Sequence, residues 1–183
     1  MRISHMDDRK SPFDVIGQLG ALRRYARSLV RNPDDAEDLV QDALMRAYER
    51  RPTFRQGANL RTWLMSVLHN THIDSLRRKR SQTRRVEEAA LLSEGLHHGG
   101  AEDVVRLGQL REAFFSLPEE QRAALHLVAI DEMSYQDAAR VLDIPVGTLM
   151  SRLSRARARL RAFEEDRTPT HLKIVGGTDN DHG

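Results

Sequence analysis

The sequence predicts an all-α protein: two small helical bundles joined by a flexible linker. Three observations predict it. Apolar residues recur at three- and four-residue spacing through most of the chain, and no strand-length stretch alternates apolar with polar. Proline or acidic residues stand where those stripes begin, at Ser11-Pro12, Asn32-Pro33 and Leu117-Pro118-Glu119-Glu120, as helix N-termini favour. Between the two patterned halves, Glu87 to Asp103 holds Ser93, Gly95, Gly99 and Gly100 and no sustained period beyond a short Ala89–Leu92 patch. The expected organisation is a first bundle over 11–80, a linker over 81–103 and a second bundle over 104–166. A Thr/Pro/Gly/Asn-rich tail over 167–183 is expected to be disordered.

Composition narrows the function classes. The 183 residues carry 29 Lys and Arg against 27 Asp and Glu, a net charge of only +2, so any basic surface is local. There is no cysteine, which excludes disulfides and thiolate metal sites and suits a reducing compartment. No apolar run is long enough for a membrane span or a secretory signal, so a cytoplasmic location is expected. Neither a Gly-rich phosphate loop nor a histidine–carboxylate set at metal spacing is present. The expectation is therefore no enzyme, no cofactor, no metal and no small-molecule substrate. His97-His98, lacking a third ligand, reads as polar linker, and the first ten residues are given no function.

In chain order, Ser11 caps and Pro12 opens a first helix with the stripe Phe13, Ile16, Leu19, Leu22, Ala26, Leu29 and Val30. Asn32-Pro33 starts a second, whose N-terminus is loaded by Asp34, Asp35, Glu37 and Asp38, as the helix dipole favours. Its stripe is Ala36, Leu39, Val40, Ala43, Leu44, Ala47 and Tyr48; its polar face is Asp35, Asp38, Gln41, Asp42 and Arg46. Taken alone, this is a well-capped amphipathic helix with a solvated face. A loop over Arg50–Asn59, with Pro52, Phe54, Arg55 and Gly57, leads to a third helix from Leu60 to about Arg80. That helix buries Leu60, Leu64, Val67, Leu68 and Thr71, with Trp63 at the edge. It runs into LRRKRSQTRRV, where Arg77, Arg78, Lys79, Arg80, Arg84 and Arg85 meet no acid. Such a run can be merely solubilising. Coming off a helix with Trp63, Asn70 and Asp74, it suits an electrostatic track for a nucleic-acid backbone.

In the second half, Val104, Leu107, Leu110, Phe114 and Leu117 mark one helix, and Ala124, Leu125, Val128 and Ala129 the next. Ser134 to Arg161 then reads as a helix-turn-helix. Ser134 and Asp137 make a capping box, and Tyr135, Ala138, Ala139 and Leu142 follow at helical spacing. Asp143-Ile144-Pro145 ends that helix, because a residue before proline is pushed out of the α region. The following helix carries Leu149, Leu153, Ala156, Leu160 and Phe163 on one face and Thr148, Ser151, Arg152, Arg155 and Arg159 on an adjacent one. One stripe can pack while the other offers guanidiniums and hydroxyls to a major groove. A solvated surface helix usually mixes charge signs. Here Arg140, Arg152, Arg155, Arg157, Arg159 and Arg161 face only Asp137 and Asp143.

With both halves read, the chain resembles a sigma-70 family transcription initiation factor of the extracytoplasmic-function (ECF) group. NPDDAEDLVQDALMRAY is similar to sigma regions 2.1–2.2, NLRTWLMSVLHNTHIDSLRRKR to regions 2.3–2.4, and LPEEQRAALHLVAIDEMSYQDAARVLDIPVGTLMSRLSRARARL to region 4. VLHNTHIDSLRRKRSQ and LDIPVGTLMSRLSRARARLR look most like the EcfG-type general-stress sigmas. The resemblance implies that Asp35, Glu37, Asp38, Gln41 and Asp42 dock on the clamp of the β′ subunit of core RNA polymerase, with region 4 at the β flap. It implies that Phe54, Arg55, Asn59, Arg61, Trp63, Asn70, Asp74, Arg77 and Arg78 read the minus-ten promoter element as single strand. For Trp63, core packing competes with base stacking. It implies that Arg140, Thr148, Ser151, Arg152, Arg155 and Arg159 meet minus-thirty-five DNA. It further implies inhibition by an anti-sigma protein, here expected to bind both bundles at once. A seventeen-residue flexible tether spanning roughly 20–25 Å would allow them to sit apart or together. The alternatives are a stand-alone helix-turn-helix regulator, which leaves the first eighty residues unexplained, and a sigma-like mimic that only binds an anti-sigma protein.

Overall fold

The computed structural model describes residues 13–55, 57–83 and 101–167. These form seven α-helices and no strand, in agreement with the all-α reading. They are α1 (Leu19–Leu29), α2 (Pro33–Glu49), α3 (Leu60–Thr83), α4 (Ala101–Ser116), α5 (Glu119–Leu125), α6 (Tyr135–Leu142) and α7 (Val146–Arg167). Short 3₁₀ turns cover Ile16–Gln18 and Arg51–Thr53, and a wide π turn covers His126–Ile130. The Ser11-Pro12 start, Arg84, Arg85, His97-His98 and the 168–183 tail lie outside the described residues.

Helix starts follow local chemistry. The Asn32 side-chain oxygen accepts from the N–H groups of Asp34 (2.8 Å) and Asp35 (3.4 Å), with Pro33 in the first turn of α2. Asn59 caps α3 by accepting from the Thr62 N–H at 3.1 Å. Ser134 accepts from the Asp137 N–H at 3.1 Å and its hydroxyl donates to the Asp137 carboxylate at 2.6 Å. The end of α6 differs from expectation. Asp143 adopts a left-handed conformation (φ 51°), and the Ile144 N–H returns to the Ala139 carbonyl at 3.1 Å, a Schellman closure that stops the helix before Pro145 acts.

Several stripe residues point outward. Ile16 is 81% exposed because the chain there is a 3₁₀ turn, whose tighter winding shifts the phase of the stripe. Tyr48, in the last turn of α2, is 73% exposed, and Leu110 of α4 is exposed while Ala113 and Leu117 are buried. Ala129 is exposed because the π turn inserts extra chain into the helical phase, so that Ala123, Ala124 and Leu127 fill the core instead. Tyr135 is also partly exposed.

The two halves share one core. α3 packs on α2 with one face and on α6 with another, and α1 meets α5. At 100° per residue, Leu64, Val67, Leu68 and Thr71 share the first face of α3, and Arg61, Met65, His69 and His72 the second. Met65 is fully buried and His72 nearly so. The strongest polar link is Arg122 of α5. Its guanidinium donates to the carbonyls of Ser28, Leu29 (3.0 Å) and Leu117 (2.8 Å) and lies 5.2 Å from the Phe115 ring centre. It thus caps the C-terminus of α1 from the other half of the chain, where the dipole favours a cation. His72 and Glu119 add an ion-pair contact at 2.9 Å between α3 and α5.

Arg122→Ala is expected to destabilise the protein by about 3 kcal/mol, because three carbonyls lose a charged donor in a buried setting. Urea titration of variant and parent checks this. A second prediction concerns His69, whose Nδ1 shares a hydrogen bond with the fully buried Tyr25 hydroxyl at 3.0 Å. Burial pushes His69 down to about 4. The folded state keeps the ring neutral where an unfolded chain would protonate near pH 6.5. The resulting stability is complete above that pH and is lost as pH falls towards 4, by about 2–3 kcal/mol over the window. The depressed Glu119 and Asp131 carboxyls add to the loss only lower down. Urea midpoints at pH 7 and pH 5 should differ accordingly, and His69→Asn should flatten the dependence.

Candidate polymerase and promoter interface

On α2, Asp35, Asp38, Gln41 and Asp42 are exposed on one side while Ala36, Leu39, Val40, Ala43 and Ala47 are buried on the other. Glu37 departs from this group. Both its oxygens accept from Arg23 of α1, at 2.7–3.1 Å, which holds its carboxyl below the ordinary range. It clamps α1 to α2. Sequence reasoning missed Met45 and Tyr48, which are 65% and 73% exposed beside the acids. An exposed methionine and tyrosine adjoining carboxylates form a face with both apolar area and charge, the mixture a protein interface uses. The signal available was that Met45 falls off the buried stripe.

The residues from Phe54 to Arg78 divide into three settings. Phe54 and Trp63 are half-buried and pack edge-on with Phe13, ring centres 5.4–5.9 Å apart. Arg51 lies over the Phe13 ring at 5.2 Å. The trio anchors the loop before α3, so Trp63 has a packing role here. Arg55, Asn70, Arg77 and Arg78 are exposed. Asn59, Arg61 and Asp74 are bonded within the protein: Asn59 as the α3 cap, Asp74 to Arg46 at 2.9 Å, and Arg61 to Asp131 of the second half at 2.5 Å.

In the second half, α6 packs on α7, and Ala138, Ala139, Leu149, Leu153 and Ala156 of the two helices are buried. Thr148, Ser151, Arg155 and Arg159 are exposed on the adjacent face of α7. Arg152 instead turns inward to Glu120 of α5 at 3.0 Å, and its side chain is only 22% exposed. Arg140 pairs with Asp137 at 3.1 Å on the α6 surface. Beside this face a shallow cleft is lined by Tyr135, Met150, Leu153, Ser154, Arg157 and Arg161, which sequence reasoning had assigned to packing, phosphate or water, or left aside.

Comparison with known proteins matches this two-part arrangement. Residues 17–82 match the family described as sigma-70 region 2, and residues 107–160 match sigma-70 region 4. The ECF RNA polymerase sigma factor EcfG of Rhodopseudomonas palustris is 37% identical over 173 residues, covering 90% of this chain and 94% of that protein. The chain belongs to the ECF sigma factor family. The ECF sigma-E factor of Escherichia coli is 34% identical over 67% of this chain and 70% of its own. Among solved structures, the sigma factor RpoE of Bartonella quintana in complex with the anti-sigma factor NepR superposes with a TM-score of 0.71 at 34% identity. That match covers 83% of this chain and 94% of the other. CnrH in complex with the cytosolic domain of CnrY superposes at 0.61 and 26% identity, covering 84% and 86%. As an ECF sigma factor the chain is a transcription initiation factor, not an enzyme, and works with core RNA polymerase and promoter DNA. Among the described residues no helix is long and apolar enough to cross a membrane.

If Arg155 reads a base, Arg155→Ala should cost about 1–3 kcal/mol of promoter binding by the polymerase complex and relax preference at one minus-thirty-five position. Arg152→Ala should cost less, because its guanidinium must first leave Glu120. Selection from a randomised minus-thirty-five library reads both effects, and unchanged selectivity in the Arg155 variant removes it from the reading face.

Proposed function

We propose that this ECF sigma factor directs transcription of a general-stress set of promoters and is held inactive by an anti-sigma protein that contacts both halves. The observation that carries the reading is similarity to EcfG across both sigma regions, over 94% of that relative. The complex of the Bartonella RpoE with the anti-sigma factor NepR supports the inhibited state, and the complex of CnrH with the cytosolic domain of CnrY shows a second partner-bound relative. A cytoplasmic location follows from the work on core polymerase and promoter DNA.

In this reading α2 docks on the β′ clamp through Asp35, Asp38, Gln41 and Asp42, with Met45 and Tyr48 supplying the apolar part. Glu37 positions the helix through Arg23. The second half meets the β flap, and α7 offers Thr148, Ser151, Arg155 and Arg159 to the minus-thirty-five groove, with Arg140 towards the backbone. The α3 segment offers Arg55, Arg61, Asn70, Arg77 and Arg78 to the minus-ten strand, while Phe54 and Trp63 shape its loop and Asn59 its first turn. Asp74 orients Arg46 at its edge. Electrostatic attraction to phosphates makes this binding salt-dependent.

The test is run-off transcription with core polymerase on a randomised promoter library, with and without a candidate anti-sigma protein. Asp38→Lys with Asp42→Lys should weaken competition for core polymerase at least tenfold while helical circular dichroism stays at the parent level. Normal competition by the double variant would mean that this face is only solvated.

A further inference from the structure

The apolar stripe of the first helix includes Phe13, yet the chain at Phe13 is a turn. The Asp14 carboxylate accepts from the Gly17 N–H at 3.0 Å, and the Gln18 N–H returns to the Val15 carbonyl at 3.0 Å, which closes the 3₁₀ turn ahead of α1. The Val15 N–H in turn reaches the Phe13 carbonyl at 3.0 Å, so the Phe13 backbone is tied to that turn. Its side chain lies against the loop that precedes α3. There its ring centre is 5.7 Å from that of Phe54 and 5.9 Å from that of Trp63, with the Arg51 guanidinium 5.2 Å away over the ring.

That loop is narrow at its base and open at its tip. At one end the Phe54 N–H returns to the Arg51 carbonyl at 3.0 Å, and at the other the Trp63 N–H returns to the Asn59 carbonyl at 3.1 Å. The Phe54 and Trp63 rings, 5.4 Å apart, draw the two ends together. Beyond them the Ala58 N–H returns to the Arg55 carbonyl at 3.1 Å, and a Cβ at Gly57, whose φ is 87°, would meet nothing within 4 Å. Arg55 is exposed on this tip. Two rings in contact can still roll on one another. A third ring brought from a different element, with a cation stacked on it, fixes the angle of the loop on α3.

We propose that Phe13 is a positioning residue for promoter recognition: by completing the aromatic base it sets the direction in which Arg55 meets the minus-ten strand, and with it the preference for bases there. The proposal rests on the reading of Arg55 as a minus-ten residue. Phe13 itself touches no DNA. A polar group that reads a base loses discrimination when its support slackens by about 1 Å. Phe13 and Phe54 lie at the surface, outside the shared core, so truncating Phe13 leaves the bundle folded.

Trp63 is the single tryptophan of the 183 residues, so its fluorescence reports on the aromatic base in the full chain. Phe13→Ala should raise acrylamide quenching of that emission at least twofold while helical circular dichroism stays at the parent level, and Phe13→Tyr should restore it. Selection by polymerase from a library randomised at both promoter elements gives the functional readout. Phe13→Ala should lower discrimination at one or two minus-ten positions at least fivefold, with minus-thirty-five discrimination and competition for core polymerase unchanged. Phe13→Tyr should again match the parent, and Arg51→Gln, which removes the cation and keeps the ring, should give a smaller loss at the same positions. Parent-like quenching in Phe13→Ala overturns the packing on which the proposal stands. Raised quenching with parent-like minus-ten selection overturns the positioning role, and so does an equal loss at both promoter elements, the mark of a general loss of structure. Arg55→Ala in the same selection separates the two readings. If it shifts minus-ten preference and Phe13→Ala does not, positioning alone fails. An unshifted preference in Arg55→Ala overturns the minus-ten reading of Arg55, and the proposal with it.

Discussion

The guanidinium of Arg122, placed over the carbonyls that α1 leaves unpaired at its C-terminus, is the contact on which the closed structure depends. A helix end buried without donors is costly. Here the donor comes from nearly a hundred residues along the chain, so the end of α1 is satisfied only when the second half is docked. Burial lowers the pKa of Arg122, yet the dipole of α1 and the nearby Glu119 keep a cation favourable there. Around this point Tyr25, Met65 and Leu127, all inaccessible to solvent, complete a core to which both halves contribute.

A shared core alters how polar residues are used. His72, Glu119, Arg61 and Asp131 bond across the seam, where apolar residues of similar volume could have been more adhesive. These pairs sit beside the shared apolar core of Tyr25, Met65 and Leu127, so separating the halves would expose apolar as well as polar surface. Directional bonds between charged groups and imidazoles fix how the two halves are seated, which apolar contact alone does not do.

Most of the fold was legible because each half repeats a simple rule: a cap, an acidic or proline first turn, then a stripe at helical spacing. α2 and α6 followed it, and the exposed face of α7 was readable because its arginines lay off the apolar stripe. Three things were not legible. α3 is buried on two sides, so Met65 and His72 gave no second stripe that periodicity could separate from the first. Arg61, Arg152 and Glu37 looked like free surface charges, since nothing local in the sequence marks a distant partner such as Asp131, Glu120 or Arg23. The phase of the Ala124–Ala129 stripe was misjudged because the π turn leaves no compositional mark.

That π turn has a consequence for how the chain can change in length. From His126 to Ile130 the helix carries more chain per turn than an α-helix needs, and Asp131, Met133 and the start of α6 take their orientation from that surplus. Removing one residue there would relax the turn to ordinary α geometry, because the wide turn is where one surplus residue is absorbed. Asp131 and α6 would then keep nearly their present direction. A single-codon deletion in this stretch would therefore be taken up where it occurs, whereas the same deletion inside α3 would rotate everything beyond it by about 100°.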